Sequence, residues 1–586
     1  MGTAALILIL DQLTKVIAKG NLIEGISQPV TSFLNWTLVY NPGAAFSFLA
    51  QAGGWQRWFF TGLGLIIGLG MVIGLLSLVF VNGITVFWAP PVPVAQIDDG
   101  RSVIGQLAQR RIRPGSLANA PLYERQYQVG LRELNGNSYL WVDEAKVKTE
   151  TFPDDVLGLE RVEHGPAFVR PQALRKSDGK VIPITDPAFE SALQAEVSAA
   201  VVVREKFEEI TRHRIGEVNR EMDEARVALR RAEDLKLADE IPVRRRQIDG
   251  LEERFVILKA EAQKVVNSGA VATLDSKDAA GRAVVIPLTQ IVRAWFPNRL
   301  DTWGRTQLFA SRLGEFIFHE PREANTEGGL MPAIFGTLVM TVFMSLLVTP
   351  FGVITAIYLR EYAQNGPILR IVRISVNNLA GVPSIVFGVF GLGFFVYVLG
   401  GSIDQLFFSD QLKYNNNTPV FGTGGLLWCS LTLALMTLPV VIVATEEALS
   451  AVPRGMREAS LASGASKWQT IRDILLPASA PGILTGVILA MARGAGEVAP
   501  LMLVGVVKLA PTLPFDTVAP FLHMDRKFMH LGFHVYDLGF QSPDSDAARP
   551  MVFATTLLLI ALVVTLNIGA IWIRNRLRAR FKGAAF

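Results

Sequence analysis

The sequence predicts an all-α polytopic membrane protein whose membrane core carries a large α+β insert on its outer side. Two observations favour this fold class. Half of the 586 residues are hydrophobic and the mean hydropathy is +0.34, values that are typical of integral membrane proteins. A more polar stretch at 90–328 interrupts the apolar runs, and its length of about 240 residues is enough for a separate domain.

Charge and cysteine content exclude several classes of function. The formal net charge is only +4, and the basic residues cluster beside apolar runs, which favours anchoring at a membrane surface over nucleic-acid binding. Cys429 is the single cysteine, so an internal disulfide bond and a thiolate metal cluster are both excluded. We therefore expect no metal site, and the insert at 90–328 shows no constellation of catalytic residues.

Six stretches are predicted to cross the bilayer, which requires about 20 apolar residues each. Five are apolar throughout and lie at 59–88, 333–358, 374–400, 425–446 and 551–573. The sixth, 481–507, is apolar except for Arg493 and Glu497. Each of these charges costs about 2.5–3.5 kcal/mol to insert at the centre of a span, so we expect both to face a bundle interior or a polar path.

Basic loops orient these spans, because short loops rich in Lys and Arg stay in the cytoplasm. The basic residues beside the spans are Arg360, Arg370, Arg373, Arg454, Arg457, Lys467, Arg472, Arg574, Arg576, Arg578, Arg580 and Lys582. Placing all of them in the cytoplasm puts 401–424, 508–548 and the insert at 90–328 outside. The span at 59–88 must then enter from the cytoplasm.

The insert is predicted to contain both strands and helices. YQVGLREL and SYLWV flank Asn135-Gly136-Asn137, a pattern typical of a β-hairpin. Further on, apolar residues recur at mostly three- and four-residue spacing on both sides of Pro242, which predicts two antiparallel helices forming an external coiled-coil hairpin. These apolar residues are Phe207, Ile210, Val218, Met222, Ala225, Leu229, Ala232, Ile248, Leu251, Phe255, Leu258 and Ala262.

The stretch REASLASGASKWQTIRDILLP at 457–477 is polar although it lies between two apolar runs. Its pattern predicts a helix, a sharp turn at Gly464 and a second short helix that Pro477 closes. A polar element held between membrane helices is suited to docking into a groove on a soluble partner.

Arg493 and Glu497 are four residues apart, so a helical span places them on one face. A guanidinium can bind phosphate oxygens in pairs, and a neighbouring carboxylate can position it and weaken its field so that an anion is released again. The pair can therefore line a path for an oxyanion. The alternative is an internal ion pair that only fixes the helix bundle.

Residues 457–477 resemble the EAA loop of ABC-importer permeases. The matching residues are Glu458, Ala459, Gly464, Ile474, Leu476 and Pro477. Ser460 stands where that family often has a second alanine. The resemblance implies that this segment receives motion from separate ATP-hydrolysing subunits. The chain itself contains no G-x-x-x-x-G-K-[ST] phosphate loop, which agrees with that division of labour.

ARGAGEVAPL at 492–501 and LAGVPSIVFGVFGL at 379–392 are similar to runs in phosphate permeases. The resemblance to the PstA-type subunit of the phosphate ABC transporter covers about 69–88 and 290–586, and the insert resembles the enlarged form of that subunit in some proteobacteria. It implies a multi-pass permease of the bacterial inner membrane, with a periplasmic insert, that imports inorganic phosphate by alternating access. A permease for sulfate or molybdate is the alternative.

The same resemblance implies several partners and assigns roles to named residues. Arg493 and Glu497 would lie on the substrate path. A second permease subunit would complete this path, a dimer of ATP-binding subunits would dock at 457–477, and a periplasmic phosphate-binding protein would deliver the substrate. ATP would be used by the partner subunits, and no cofactor would be bound by this chain.

The N-terminal residues resemble a different family from the rest of the chain. DQLTK at 11–15 and YNPGAAFSFLAQAGGWQRWFF at 40–60 resemble the beginning of lipoprotein signal peptidase, the aspartyl enzyme signal peptidase II. That family needs two intramembrane aspartates sharing a site, and Asp11 has no counterpart after the join. We therefore interpret the segment as a gene fusion, a genome rearrangement or a gene-model artefact, and peptidase activity as a less favoured function.

The apolar run at 3–10 is too short to span, so residues 1–57 are expected at or in the cytoplasm. The sequence thus predicts four regions, a truncated peptidase-like segment, a first permease span, an extracytoplasmic insert and the permease core, at 1–68, 69–89, 90–328 and 329–586.

Overall fold

The computed structural model of the protein describes residues 20, 27–31, 34–37, 56–116, 121–269, 272–322, 325–364, 366–516, 521–542 and 545–582. The apolar run at 3–10, DQLTK at 11–15 and most of the stretch at 40–60 lie outside these residues. The predicted position of residues 1–57 therefore stays a prediction. The chain divides into two compact units, residues 1–78 and 79–586.

In the first unit, β1 (Ser27–Thr31) pairs antiparallel with β2 (Leu34–Thr37). Helix α1 (Gln56–Thr85) begins in this unit. Its candidate membrane span, Thr61–Thr85, has a mean hydropathy of 2.6, and only 6% of its most apolar window is buried. A helix that is apolar all round and exposed requires lipid or another protein around it.

The second unit opens with the insert, which contains fourteen of the strands in the described part of the chain. They are β3 (Val94–Ile97), β4 (Ser102–Ile104), β5 (Gln106–Ile112), β6 (Tyr123–Gln128), β7 (Tyr139–Asp143), β8 (Val147–Thr151), β9 (Leu157–Arg161), β10 (Ala167–Arg175), β11 (Val181–Pro183), β12 (Thr273–Lys277), β13 (Ala283–Pro287), β14 (Ile291–Trp295), β15 (Pro321–Arg322) and β16 (Glu327–Gly328). The sheet content of the insert is therefore much larger than the single hairpin that the sequence predicted.

These strands form antiparallel sheets. The largest has the order β13-β12-β10-β9-β14, with β11 paired to β10, and two three-stranded sheets have the orders β4-β3-β8 and β5-β6-β7. The predicted hairpin corresponds to β6 and β7, whose pairing sets Gln128 opposite Tyr139. Its first strand ends earlier than predicted, because Arg132–Asn135 form a helical turn, α2, before Gly136 at φ +74°.

Four longer helices complete the insert. They are α3 (Phe189–Glu208), α4 (Ile215–Asp234), α5 (Ile241–Gly269) and α6 (Thr302–Phe318). A π-turn at Glu209–Arg214 joins α3 to α4. Phe189, Leu193 and Val197 on α3 pack on the largest sheet, because three- and four-residue spacing aligns them on one face.

The predicted helix pair is present as α4 and α5, which pack through a shared apolar seam. Val218, Met222 and Ala225 on α4 contact Leu251 and Leu258 on α5. Both helices therefore use the residues whose spacing predicted them. That the pair is a coiled coil stays a prediction.

The membrane core consists of helices joined by short breaks. They are α7 (Met331–Ile357), α8 (Pro367–Leu379), α9 (Ser384–Phe390), α10 (Gly401–Phe407), α11 (Ser409–Tyr414), α12 (Leu426–Ser450), α13 (Arg454–Ala462), α14 (Lys467–Thr470), α15 (Leu476–Gly496), α16 (Ala499–Val504), α17 (Leu531–Tyr536) and α18 (Ser545–Lys582). Helix α12 lies at the centre, with 67% of its most apolar window buried.

Six helical stretches in the described part of the chain are apolar and long enough to cross a membrane, as predicted. They are Thr61–Thr85, Met331–Tyr362, Ser384–Phe407, Leu426–Ser450, Lys467–Gly496 and Ala548–Arg576.

Two of the predicted bounds are wrong. The stretch at 374–400 is not one span, because α8 ends at Leu379 and Pro383 precedes α9. A proline donates no backbone hydrogen bond and disfavours helical geometry in the residue before it. The stretch at 481–507 is not one helix either, because α15 ends at Gly496 and Glu497 is extended.

The loops predicted to lie outside contact the insert. Arg230 on α4 donates to the Tyr414 carbonyl oxygen at 2.9 Å, Asn325 donates to the Lys508 carbonyl oxygen at 3.2 Å, and Gln126 donates to Asp546 at 2.6 Å. The loops at 401–424 and 508–548 therefore share one end of the core with the insert.

The basic segments lie at the other end. Leu426, where α12 begins, bonds to Arg526 in the outer loop, and the Leu449 carbonyl near its end accepts from Arg457. A helix of 25 residues separates its ends by about 37 Å. The insert and 457–477 are thus on opposite ends of the core, in agreement with the predicted alternation.

Candidate functional site

The segment at 457–477 forms a helical turn that protrudes from the end of the core. Helix α13 follows α12 after Val452, which is 5% exposed, and Pro453. On α13, Ser460 is buried, whereas Glu458 and Ala459 are exposed. The two residues that opened the predicted motif therefore face away from the core and are free to contact another chain.

Gly464 makes the turn after α13. Its φ is +86°, and a Cβ placed there would meet nothing within 4 Å. The glycine is therefore required by the left-handed backbone and not by lack of space. Across the turn, the hydroxyls of Ser460 and Thr470 are 2.9 Å apart and buried.

A capping box begins the second helix. The Gln469 backbone N–H donates to the Ser466 Oγ at 3.3 Å, and the Ser466 N–H donates to the Gln469 side chain at 2.7 Å. This reciprocal pair satisfies backbone donors that a helix start leaves free. The capping box was readable in the sequence but was not used to predict this start.

The second helix is longer than predicted. It does not close at Ile474, Leu476 and Pro477, because a π-turn at Ile471–Leu475 joins α14 to α15 and the helix continues to Gly496. Pro477 has no backbone N–H to donate, and it lies just after the π-turn, where the regular α-helical hydrogen bonding is already interrupted.

Buried apolar residues anchor this helix to the core. Ile471 and Leu475, each 1% exposed, pack against Ile357, Leu449 and Val452. Ile474 and Pro477, by contrast, are only half-buried.

Arg457 fixes the turn to the end of the α7 span. Its guanidinium lies 3.0 Å from Glu361 and donates to the Leu449 carbonyl oxygen at 2.7 Å. Lys467 lies 4.8 Å above the ring of Tyr362. Both partners belong to the π-turn at Tyr358–Tyr362 that ends the α7 span. The sequence showed Arg457 only as a basic charge, because its partner is almost a hundred residues away.

Arg493 and Glu497 lie where α15 ends. The Arg493 Nε is 3.7 Å from the Glu497 Oε1, and the side chains are 35% and 23% exposed. Among the described residues, no other side chain forms an ion pair with either group. Because Glu497 is the extended residue after Gly496, the pair spans a helix end and does not share a continuous helical face as predicted.

Two predicted motif runs meet beside this helix end. A Cβ on Gly388, in the run at 379–392, would lie 2.7 Å from the Pro500 Cα, and one on Gly494 would lie 2.6 Å from the Met344 Cε. The backbones of α9 and α16, and the helices α15 and α7, therefore approach closely. The charge pair is held in a tightly packed frame of small residues.

The comparisons with known proteins agree with this architecture. Residues 348–583 match the family described as binding-protein-dependent transport system inner membrane component. The chain is 30% identical over 264 residues to the probable ABC transporter permease protein YqgI of Bacillus subtilis, a match that covers 44% of this chain and 82% of that protein. The chain belongs to this permease family.

Other relatives of the permease include proteins named for phosphate transport. The chain is 41% identical to the phosphate transport system permease protein PstA of Mycobacterium leprae, over 30% of this chain and 52% of that one. It is 35% identical to the probable permease YqgH of Bacillus subtilis, over 34% and 59%. The chain thus spans little more than half the length of these two relatives. The predicted resemblance to PstA-type permeases is confirmed.

The N-terminal resemblance is also confirmed, since residues 3–87 match the family model of signal peptidase (SPase) II. Among solved structures, the inward-facing MetNI methionine ABC transporter matches 42% of this chain and 95% of that chain at 20% identity, with a TM-score of 0.30. The family assignment does not rest on that structure. The chain is a multi-pass membrane protein of the permease family.

Proposed function

We propose that this permease is one subunit of an ATP-driven importer of inorganic phosphate and forms half of its translocation path. The observation that carries the proposal is the loosely paired Arg493 at the end of α15. The Arg493 Nε lies 3.7 Å from the Glu497 carboxylate, which is longer than a hydrogen bond, and the Arg493 side chain is 35% exposed. The similarity to permeases named for phosphate transport favours phosphate over the alternatives, sulfate and molybdate.

The chemistry of Arg493 suits a passing oxyanion. Its donors remain free to bind anionic oxygens in pairs. Glu497 holds the guanidinium near the helix end and reduces its net field, so that a bound anion can leave. Burying such a charge among apolar helices is costly, and a purely structural pair would be expected to close this distance and to satisfy more donors.

Coupling is assigned to the protruding turn. Glu458 and Ala459 would contact a groove of an ATP-binding subunit, Gly464 would set the angle of the turn, and Ile474, Leu476 and Pro477 would begin the helix that carries motion inward. A dimer of ATP-binding subunits, a second permease and a periplasmic phosphate-binding protein would complete the importer. This chain would bind no cofactor, and alternating access would follow from movement of this turn.

The placement of the regions follows from the same proposal. The permease would lie in a bacterial inner membrane, with the turn at 457–477 cytoplasmic and the insert at 90–328 periplasmic. The pair α4–α5 would be a coiled-coil hairpin. Residues 1–68 would be a passenger without peptidase activity, followed by a first permease span at 69–89 and the core at 329–586.

Uptake of radiolabelled phosphate tests the proposal. The host would be cells that lack their own high-affinity phosphate permease but keep its partners, expressing either the full chain or a chain beginning at residue 58. Restored uptake, resistant to excess sulfate, is expected from both. Uptake by the truncated chain alone would mean that the N-terminal segment blocks the core. If sulfate competes fully, the oxyanion assignment is wrong. If neither chain restores uptake, the full chain is expressed together with the partner subunits of its own transporter. Absence of uptake in that experiment rejects the proposal.

A further inference from the structure

A cavity of about 510 Å³ lies between the insert and the membrane core. Its lower wall is formed where the first span ends, at Thr85–Phe87, and where the last span begins, at Arg549–Phe553. These spans pack closely, since a Cβ on Gly83 would lie 2.9 Å from the Phe553 carbonyl oxygen. A volume of this size is within the range of about 300–1,000 Å³ typical of small-molecule sites.

Four arginines and three glutamates line the cavity: Arg132, Arg312, Arg322, Arg549, Glu160, Glu315 and Glu327. Arg293 does not line the cavity but joins the ion pairs of its floor. Glu160 accepts from Arg312 at 2.6 Å and from Arg293, and Glu315 pairs with Arg293 at 3.1 Å and Arg322 at 2.5 Å. Three guanidinium groups therefore share two carboxylates. All five side chains are at most 18% exposed, so water screens this excess only weakly.

The pKa values of Glu160 and Arg204 are both lowered by the positive charges of this network. Burial would raise the pKa of Glu160, yet Arg312, Arg293 and Arg322 hold it below its usual value, so the carboxylate stays ionised. Burial and the charge of Arg322 lower the pKa of Arg204. The Nε of Arg322 is buried and has no hydrogen-bond partner among the described residues, which leaves a donor on the floor unsatisfied.

Two further arginines line the cavity at its exposed side. Arg549 donates a hydrogen bond to the side-chain amide oxygen Oε1 of Gln109 at 3.3 Å. Neither Arg549 nor Arg132 has a carboxylate partner in the part of the chain that the structure describes. Both keep donors for an incoming anion, and an arginine presents them in a planar fork that fits phosphate oxygens.

The remaining wall is apolar and continuous with the membrane core. Phe87, Phe316, Met551 and Phe553 line the cavity, and the rings of Phe87 and Phe316 are 5.0 Å apart. Cationic and apolar surfaces thus meet in one place, at the level where the spans leave the membrane.

We infer that this cavity binds a phosphate group, which Arg132 and Arg549 receive at the mouth and the arginine-rich floor attracts. The group belongs either to free inorganic phosphate or to the headgroup of a phospholipid whose chains lie against Phe87 and Met551. The site uses none of the residues of the proposed path, so it does not depend on the proposed transport activity.

The test compares purified full-length chains that all carry Arg493→Ala, which removes the phosphate contact of the proposed path. The double variant Arg132→Gln with Arg549→Gln is compared with Arg244→Gln. Arg244 is a half-buried arginine of α5 whose side chain contacts Gln247 and does not line the cavity. Binding of radiolabelled phosphate and the amount of co-purified phospholipid are measured for each. Arg549→Gln alone replaces the double variant if that variant loses its size-exclusion profile.

Phosphate affinity at least tenfold weaker in the double variant, and unchanged in Arg244→Gln, would assign the site to the free anion. A loss of co-purified phospholipid in the same variant, without phosphate binding in the parent, would assign it to the headgroup, and Met551→Gln should then also lose lipid. Equal phosphate binding and equal phospholipid in all chains would overturn the inference and leave the arginines as a purely structural clamp.

Discussion

At the base of the insert, Glu160 and Glu315 share three arginines in a network that is at most 18% exposed. At the end of α15, Arg493 and Glu497 meet at a single distance of 3.7 Å and keep 35% and 23% of their side chains exposed. The residue types are the same, but every arginine of the first network lies within 3.1 Å of a carboxylate oxygen, whereas Arg493 has a single, longer contact. The buried Nε of Arg322 is the exception in the first network, because it has no hydrogen-bond partner among the described residues. The first arrangement is suited to holding two parts of the protein together, and the second to binding something that must leave again.

Breaking the network should give the largest effect on stability. Glu160→Ala leaves Arg293 and Arg312 buried with one carboxylate fewer, and removing one partner of a buried pair costs about 3–5 kcal/mol. Thermal unfolding in detergent should therefore begin at a clearly lower temperature. As a control, Glu163→Ala removes a nearby exposed glutamate and should change little. Equal stability of the two variants would show that the network contributes no net stabilisation.

Arg493→Ala, in contrast, should reduce phosphate uptake strongly and stability little. Losing a hydrogen bond to a charged group costs about 1.5–3 kcal/mol, so we expect uptake to fall by about 10- to 100-fold, with little change in unfolding temperature. Arg493→Lys, which keeps the charge without the planar fork, should lie between. If Arg493→Ala takes up phosphate as fast as the unaltered chain, Arg493 does not lie on the path. If the variant loses much of its stability, Arg493 and Glu497 form an ion pair that stabilises the helix bundle.

Two glycines near the turn at 457–477, Gly464 and Gly455, allow a matched comparison. Gly464 and Gly455 both have open space around the Cα, but only Gly464 has a positive φ. Strain of about 1–3 kcal/mol is expected when a β-branched residue occupies that conformation, which lowers the population of the native turn by a factor of about 5 to 160. Gly464→Val should therefore reduce transport-linked ATP hydrolysis of the assembled importer far more than Gly455→Val. Similar hydrolysis in both variants would argue against a docking role for the turn.

The smallest effect concerns buried groups that are polar but uncharged. Burial lowers the pKa of His530 to about 3 and that of His534 to about 4. The unfolded chain takes up these protons near pH 6.5 whereas the folded chain does not, so stability is complete above pH 6.5 and falls as the pH is lowered towards 4. Between pH 7.5 and 6.0 each histidine should cost about 0.8 kcal/mol. Between pH 7.5 and 6.0, the unfolding temperature of His534→Leu should fall less than that of the unaltered chain. An equal fall in both chains would show that His534 does not cause the pH dependence.

Local pattern was enough to predict much of this molecule. Apolar length predicted the six spans, three- and four-residue spacing predicted α4 and α5, and Gly464 was recognised as the turn. These features depend on residues that are close in the sequence. The break at Pro383 was also local, but the apolar run on both sides of it masked it.

Long-range contacts could not be predicted in the same way. Arg457 and Glu361, or Glu160 and Arg312, are far apart in the sequence, and nothing near either residue indicates its partner. The cavity at the base of the insert depends on several such contacts at once. The sequence therefore predicted the charged pair four residues apart, at Arg493 and Glu497, and missed the larger network.

The helix from Lys467 to Gly496 would act as a lever in the proposed importer. Its 30 residues span about 45 Å, and they begin at the capped end beside Gly464 and finish next to Glu497. In the proposed importer, a displacement of a few ångströms at the turn would be transmitted along this helix to Arg493, because no loop lies between them. The π-turn at Ile471–Leu475 and the prolines at 477 and 481 interrupt the regular backbone hydrogen bonding near the turn, so bending would be concentrated there and the part of the helix next to Arg493 would stay rigid.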